Sequence, residues 1–246
     1  PVVAFLHGAG GDHTVWNLLS RFFACRGYAV LVLDLPGHTH SDGPPLDSVD
    51  SMADWLNGVL DTLGCREISL VAHSMGCLIG LEFGSRYPAR LRSLSLIASG
   101  LATPVNEALL EAAKDQPEAA ISMMTSWGFG AAGHYGRGPV PGNAMIAAGQ
   151  AVMRGNAPEA LHFDLSACNN YANGKQAAPL VKAPVQVIVA GKDRMAPRKA
   201  TDELIAHLPD PDVARIDDCG HMVPQEAPNR CRELLREFIF THNPAT

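Results

Sequence analysis

The sequence contains no apolar run longer than a strand, so no stretch of it reads as a membrane-spanning helix. It contains no cluster of Lys and Arg, and its formal net charge is −6, so nucleic acid is not an expected partner. Its six cysteines, at 25, 65, 77, 168, 219 and 231, include no C-x-x-C pair. Most of them sit inside apolar patterns, which reads as reduced core thiols in a cytoplasmic protein rather than a disulfide framework. No internal repeat or low-complexity tract is legible. Nor is a charged start followed by an apolar stretch, so no secretory signal is expected in these residues. What is present is globular in composition: 246 residues, 47% apolar and 18% charged, enough for one domain or one domain with a lid.

Residues 2–6 form a short continuous apolar run, the pattern of a strand buried on both faces. Residues 29–35, 67–71, 91–98, 185–190 and 213–216 read as further strands. Helical spacing of apolar residues lies between and after them. It covers 15–23 (closed by Gly27), 49–63 (with Ser48 or Asp47 as cap), 75–87, 198–207 and 228–240. This alternation predicts an α/β fold: a mostly parallel central sheet with helices on both faces. It stops near Gly100. Residues 101–179 read instead as helical patches (108–113, 117–127 and 145–153) broken by a glycine-rich stretch, 128–142. The expected organisation is a core from 1–100 and 180–246, with 101–179 as a helical lid over the C-terminal edge of the sheet. The glycine-rich stretch is expected to be more mobile than the core.

The stretch Leu70-Val71-Ala72-His73-Ser74-Met75-Gly76 joins a strand to a helix with almost no loop. So sharp a turn forces its tip residue into a strained, positive-φ conformation, tolerable only if the residues two before and two after are small. Ala72 and Gly76 are small, and Ser74 sits at the tip. Residues 72–76 resemble the nucleophile elbow G-x-S-x-G of the α/β-hydrolase superfamily, with Ala in the first Gly position. The plainer alternative is an ordinary strand–helix junction with a capping serine. The positions of a base and an acid decide between them.

A serine nucleophile needs a base, and the base needs an orienting acid. His221 is the one histidine in the loop after the last strand, and Asp193 is the one aspartate directly after the strand before it. Both fall at C-terminal strand ends, on the same edge of the sheet as Ser74. The order Ser74, Asp193, His221 is the order that accompanies this elbow. The surrounding G-x-D-R-x-x-P and G-H-x-x-x-x-E-x-P patterns also resemble the superfamily's. His221 is then the base, and Asp193 holds its tautomer. Asp217 and Asp218 are rival acids, disfavoured by their short distance from His221 along the chain, because the acid normally comes from a neighbouring loop. Lys192 or Arg194 paired with Asp193 is the competing structural explanation.

The resemblance further implies two backbone oxyanion donors, Met75 N–H at the helix start and Ala9 N–H from the H-G-x motif in His7-Gly8-Ala9, with His7 supporting that loop. The loop Pro36-Gly37-His38-Thr39-His40-Ser41 resembles the family's P-G-x-G-x-S segment, with Thr39 where Gly is usual. His38 and His40 lack a third ligand nearby and are not read as a metal site; neither metal nor cofactor is expected. His73 is expected to point into the structure, Cys77 to pack in its helix and Trp16 to pack under the first loop. Met123, Trp127, Phe129 and Met145 are candidates for an apolar substrate pocket, or equally for the lid's own small core.

Together these residues imply a serine hydrolase acting through an acyl-enzyme on a small to medium, partly apolar carboxylic ester. Carbon–carbon bond hydrolases, lactonases, perhydrolases and transacylases share the fold and the triad. A ligand-binding receptor or scaffold of this fold is the alternative of another class. An Asp nucleophile would suggest an epoxide hydrolase or dehalogenase, and Ser74 argues against both. The resemblance also implies two strands before residue 2, for which this sequence has no room. Residues 29–35 are then expected at a sheet edge, without the Lys, Pro or bulge glycine that normally blunts one.

Overall fold

The computed structural model describes residues 1–136, 138–140, 142 and 144–245. The chain opens with β1 (Val2–Leu6), a 3-10 turn (His13–Trp16), α1 (Ser20–Ala24), β2 (Ala29–Leu33), α2 (Val49–Thr62), β3 (Ile68–His73), α3 (Met75–Arg86) and β4 (Leu91–Ile97). Among the described residues, six α-helices and a 3-10 turn (Ala178–Leu180) come before the next strand: α4 (Glu107–Asp115), α5 (Pro117–Gly128), α6 (Ala131–His134), α7 (Met145–Gly155), α8 (Ala160–Asn170) and α9 (Gly174–Ala177). The chain closes with β5 (Val185–Ala190), α10 (Arg198–His207), β6 (Asp212–Ile216), α11 (Val223–Glu226) and α12 (Pro228–His242). Among the described residues, no helix is long and apolar enough to cross a membrane.

The sheet has the order β2-β1-β3-β4-β5-β6, and every pairing is parallel. Burial follows position. The central strands β3 and β5 are buried throughout, whereas the edge strands β2 and β6 are half-buried or exposed. Alternate side chains feed two cores. Val3, Phe5, Val71 and Ile188 pack with Trp16, Phe23, Leu235 and Phe238 on one face. Ala4, Leu6, Leu70 and Leu96 pack with Met52, Leu56, Leu78 and Leu204 on the other. Parallel strands point the same way, so the loops after β1, β3, β5 and β6 all emerge along one edge.

Several boundaries differ from those read in the sequence, each for a local reason. The expected helix at 15–23 is split, because Asp12 accepts from Thr14 N and caps a separate 3-10 turn that buries Trp16 against Phe5. β2 stops at Leu33 rather than 35, because Leu35 N–H donates to His7 Nε2 instead of a strand neighbour. β4 stops at Ile97, because Ala98 has φ 55°. The cap of α2 is Ser48, which accepts from Ser51 N–H at 3.2 Å.

Helices α6, α8 and α9 add to the three helical patches expected between residues 101 and 179. The segment between β4 and β5 has its own small core, in which Leu109, Ile121, Met124, Leu161 and Leu165 meet. Its last part belongs elsewhere: Ala167, Cys168 and Tyr171 pack in the main core. There Tyr171 and Asn173 hydrogen-bond the buried Glu82 of α3. Of the glycine-rich stretch, residues 137 and 141 lie outside the described residues.

Candidate active site

Ser74 stands between β3 and α3 with φ 54° and ψ −119°, the strained tip that the sequence required. The turn is this tight because glycines let two loops meet there. A Cβ on Gly76 would lie 2.7 Å from Leu6 O and 2.8 Å from His7 O, and one on Gly8 would lie 2.9 Å from Ser74 Cβ. The loop after β1 is thus pressed directly against the serine.

Ser74 Oγ lies 2.9 Å from His221 Nε2, and His221 Nδ1 lies 2.8 Å from Asp193 Oδ2. Asp193 Oδ1 accepts from Met195 N–H and Ala196 N–H at 2.8 and 2.9 Å. Burial alone would raise the Asp193 pKa. The charge and hydrogen bond of His221, with the two backbone donors, outweigh it and hold the carboxyl below its usual range. An ionised carboxylate only accepts, so a proton on His221 Nδ1 faces Asp193 and Nε2 is left as an acceptor facing Ser74 Oγ. The rival acid Asp217 points to solvent beside Arg215, and Lys192 pairs with Asp218 rather than Asp193.

The supporting histidines are neutral. Burial, helped by the nearby His38, pushes His7 down to about 4, and burial with His221 pushes His73 down to about 3. His7 Nδ1 donates to Gly8 O at 2.8 Å while its Nε2 accepts from Leu35 N, which ties the first loop to the chain after β2. His73 Nε2 donates to His221 O at 2.9 Å. Burial pushes the Cys77 thiol up to about 12, and its Sγ donates to Ala72 O; it is an inert packed group. His38 is buried against Asp164, and His40 is exposed. Among the described residues, Ala9 N–H and Met75 N–H have no protein acceptor, and both belong to the segments that meet at Ser74.

Two cavities share Ala9, Ser74, Met124 and Met195. The first holds about 560 Å³ of atom-free space, its open mouth included, and is walled by Phe129, Val152, Met153, Met222 and the His221 side of the serine. The second holds about 640 Å³ on the same measure, is walled by Leu109, Trp127, Leu165 and Cys168, and has Arg194 among its lining residues. Phe129 and Trp127 therefore line one cavity each. Met123 and Met145 line neither: Met123 packs on the core of the insertion, and Met145 lies against Gly138. The walls come instead from Met124, one residue further round α5, and from Met153, Met195 and Met222.

Three further polar residues also reach this site; of these, only Glu226 had a place in the sequence patterns, as the E of G-H-x-x-x-x-E-x-P. Glu226 accepts from Gly130, Gly220 and Met222 N–H, and His221 N–H donates to Gly128 O, so the end of α5 is stapled to the His221 loop. Asp164 and Asn156 reach the Gly8–Gly11 loop from the insertion. One signal was available for Asp164: it shares a helical stripe with Leu161, Leu165 and Cys168, a lone acid on an apolar face.

The sequence pattern of the alpha/beta hydrolase family matches residues 3–234. Among curated proteins, the chain is 28% identical to a pimeloyl-[acyl-carrier protein] methyl ester esterase of Aromatoleum aromaticum, over 97% of this chain and 98% of that one. It is also 28% identical to a 2-hydroxy-6-oxononadienedioate/2-hydroxy-6-oxononatrienedioate hydrolase of Burkholderia vietnamiensis, over 96% and 86%. Among solved structures, an enol-lactonase from Burkholderia xenovorans superposes with a TM-score of 0.88 at 20% identity, covering 97% of this chain and 91% of that one. A thermophilic esterase from Thermogutta terrifontis gives 0.86 at 22%, covering 98% and 90%. At these identities the structural likeness speaks for the fold.

Proposed function

The chain belongs to the alpha/beta hydrolase family, and on that premise we propose that it hydrolyses carboxylic esters of small to medium, partly apolar acids through an acyl-enzyme on Ser74. One observation carries the reading: the unbroken run of hydrogen bonds from Ser74 Oγ through His221 to Asp193. His221 Nε2 takes the serine proton as Oγ attacks the ester carbonyl. The oxyanion that forms is met by Ala9 N–H and Met75 N–H, the latter at the positive end of α3. His221 then gives its proton to the departing alkoxide, and later activates the water that releases the acid.

That proton transfer assigns the two cavities. The leaving group must lie beside His221, which lines the first cavity and not the second. The alcohol portion therefore takes the cavity of Phe129 and Met222, and the acyl chain takes the one of Trp127 and Leu165. Residues 101–179 act as the lid, since α5, α7 and α8 contribute walls to one or both cavities.

The methyl ester esterase and the 2-hydroxy-6-oxononadienedioate/2-hydroxy-6-oxononatrienedioate hydrolase are each 28% identical to this chain, so a β-diketone belongs beside the esters in the test. The experiment that tests the reading is a turnover panel of aryl and methyl esters graded in acyl length, with and without a terminal carboxylate, beside a β-diketone. Ester turnover that depends on acyl length is the expected result. Turnover of the diketone with none of the esters contradicts it.

A further inference from the structure

The loop His7-Gly8-Ala9-Gly10-Gly11 is held from the insertion, not only from the sheet. Gly11 N–H donates to Gly8 O at 3.0 Å and closes a turn whose third residue, Gly10, has φ 65°. In such a turn the central peptide, Ala9 C=O to Gly10 N–H, is the part free to flip. Asp164 of α8 removes that freedom, because its Oδ2 accepts from Gly10 N–H at 2.7 Å. Asn156 takes the other side of the same residue: its Nδ2 donates to Gly10 O at 3.1 Å, while its Oδ1 accepts from Thr39 N–H at 3.1 Å. Leu161 and Met153 press on Gly10 so closely that a Cβ there would lie 3.0 and 3.2 Å from them.

Asp164 is itself held. It is fully buried, and Oδ2 also lies 2.9 Å from His38 Nε2. His38 Nδ1 faces Pro36 O at 3.1 Å, so both ring nitrogens face acceptors and both must carry a proton. Burial pulls the His38 pKa down, but the hydrogen bond and charge of Asp164 outweigh it and the net shift is upward. The pair is a fixed charge-assisted contact between α8 and the loop after β2, with the Gly10 amide as its third member.

We propose that Asp164 and Asn156 are positioning residues: by gripping Gly10 from the insertion, they hold the turn in which Gly11 N–H donates to Gly8 O, and so fix the Gly8–Ala9 peptide whose N–H faces the oxyanion. The insertion then takes part in catalysis without touching the reacting atoms. This inference rests on the assignment of Ser74 as nucleophile, and its test has one arm that does not.

The substitutions are Asp164→Asn, which keeps the shape and removes the charge, and Asn156→Ser, which removes the donor to Gly10 O. Donor loss in an oxyanion hole lowers turnover by about a hundredfold to a thousandfold, so misdirection of one donor should lower kcat by about tenfold to a hundredfold. KM should stay within about twofold, because the ground-state ester does not use the donor fully. A boronic acid that forms a tetrahedral adduct on the serine should weaken in proportion to kcat. Amide exchange in the segment 7–11 should rise in both variants, whether or not any ester is turned over. A purely structural role predicts a lower thermal midpoint with kcat unchanged at a temperature well below it; that result overturns the proposal. So does unchanged amide exchange in the loop, including in a protein that proves not to hydrolyse esters at all. If Asp164→Asn does not fold, Asn156→Ser alone decides by the same criteria.

Discussion

Ser74 occupies a conformation that costs about 1–3 kcal/mol in a residue with a Cβ, and the fold sustains it by giving up side chains around it. Gly76 is the sharpest case. A methyl group there would meet two backbone oxygens, Leu6 O and His7 O, and Leu6 belongs to the stretch of β1 paired with β3. Gly76→Ala is therefore expected to lower stability by about 1–3 kcal/mol, the usual cost of overpacking, and to reduce kcat much more than KM by pushing Ser74 off its line to His221. Thermal denaturation and steady-state kinetics on the same preparation check both. The serine, its small neighbours and the two partner residues were legible in the sequence because each lies beside its own strand end. Asp164 was not, because its acceptor role concerns Gly10, 154 positions away along the chain.

At the scale of elements, the site is the meeting of one sheet edge with α5, α7 and α8. The strands were legible from continuous apolar runs, and their parallel pairing from the helices between them. In the insertion the strand–helix rhythm stops, and α4, α5 and α7 were legible there as the helical patches 108–113, 117–127 and 145–153. Its shortest helices, α6 and α9, span four residues each and leave too few positions for a periodicity. Beside the apolar packing of Ala167, Cys168 and Tyr171, its ties to the core run through polar side chains that no period reveals. Glu226 is the clearest of these. Burial raises its pKa, and three backbone donors oppose that shift. Glu226→Ala leaves the Gly130, Gly220 and Met222 amides without their acceptor and loosens α5 from the His221 loop. The expected result is a fall in kcat together with altered acyl- or alcohol-length preference, measured on the ester panel. A variant that folds with wild-type rates and preferences contradicts this coupling.

For the whole molecule, the buried neutral histidines set the acid side of stability. His7 and His73 titrate at about 4 and about 3 when folded, against an ordinary value of 6.5. Below that ordinary value the unfolded chain takes up protons that the folded chain refuses, so stability falls as pH falls. Each histidine contributes up to about 1.4 kcal/mol per pH unit, His7 until about pH 4 and His73 until about pH 3. His38 has the opposite sign. Its raised pKa gives stability that is fully present below the ordinary histidine value and is lost as pH rises through the folded value, so it does not offset the acid-side slope. Denaturant midpoints should therefore decline steadily from pH 6.5 to 4.5, and a flat profile contradicts the neutral assignment. At the sheet margin, β2 lies at the edge as the sequence implied, with Val30 and Val32 partly covered from one face and Leu31 and Leu33 from the other.

The central claim is that Ser74, activated by His221, is the nucleophile. Its most direct test is to treat the protein with a fluorophosphonate and map the adduct by peptide mass spectrometry, beside Ser74→Ala and His221→Ala variants of confirmed fold. The account predicts a single adduct on Ser74 in the wild type, none in Ser74→Ala, and labelling slowed by at least about a thousandfold in His221→Ala. An unlabelled Ser74, or ester turnover in Ser74→Ala within tenfold of wild type, would contradict it.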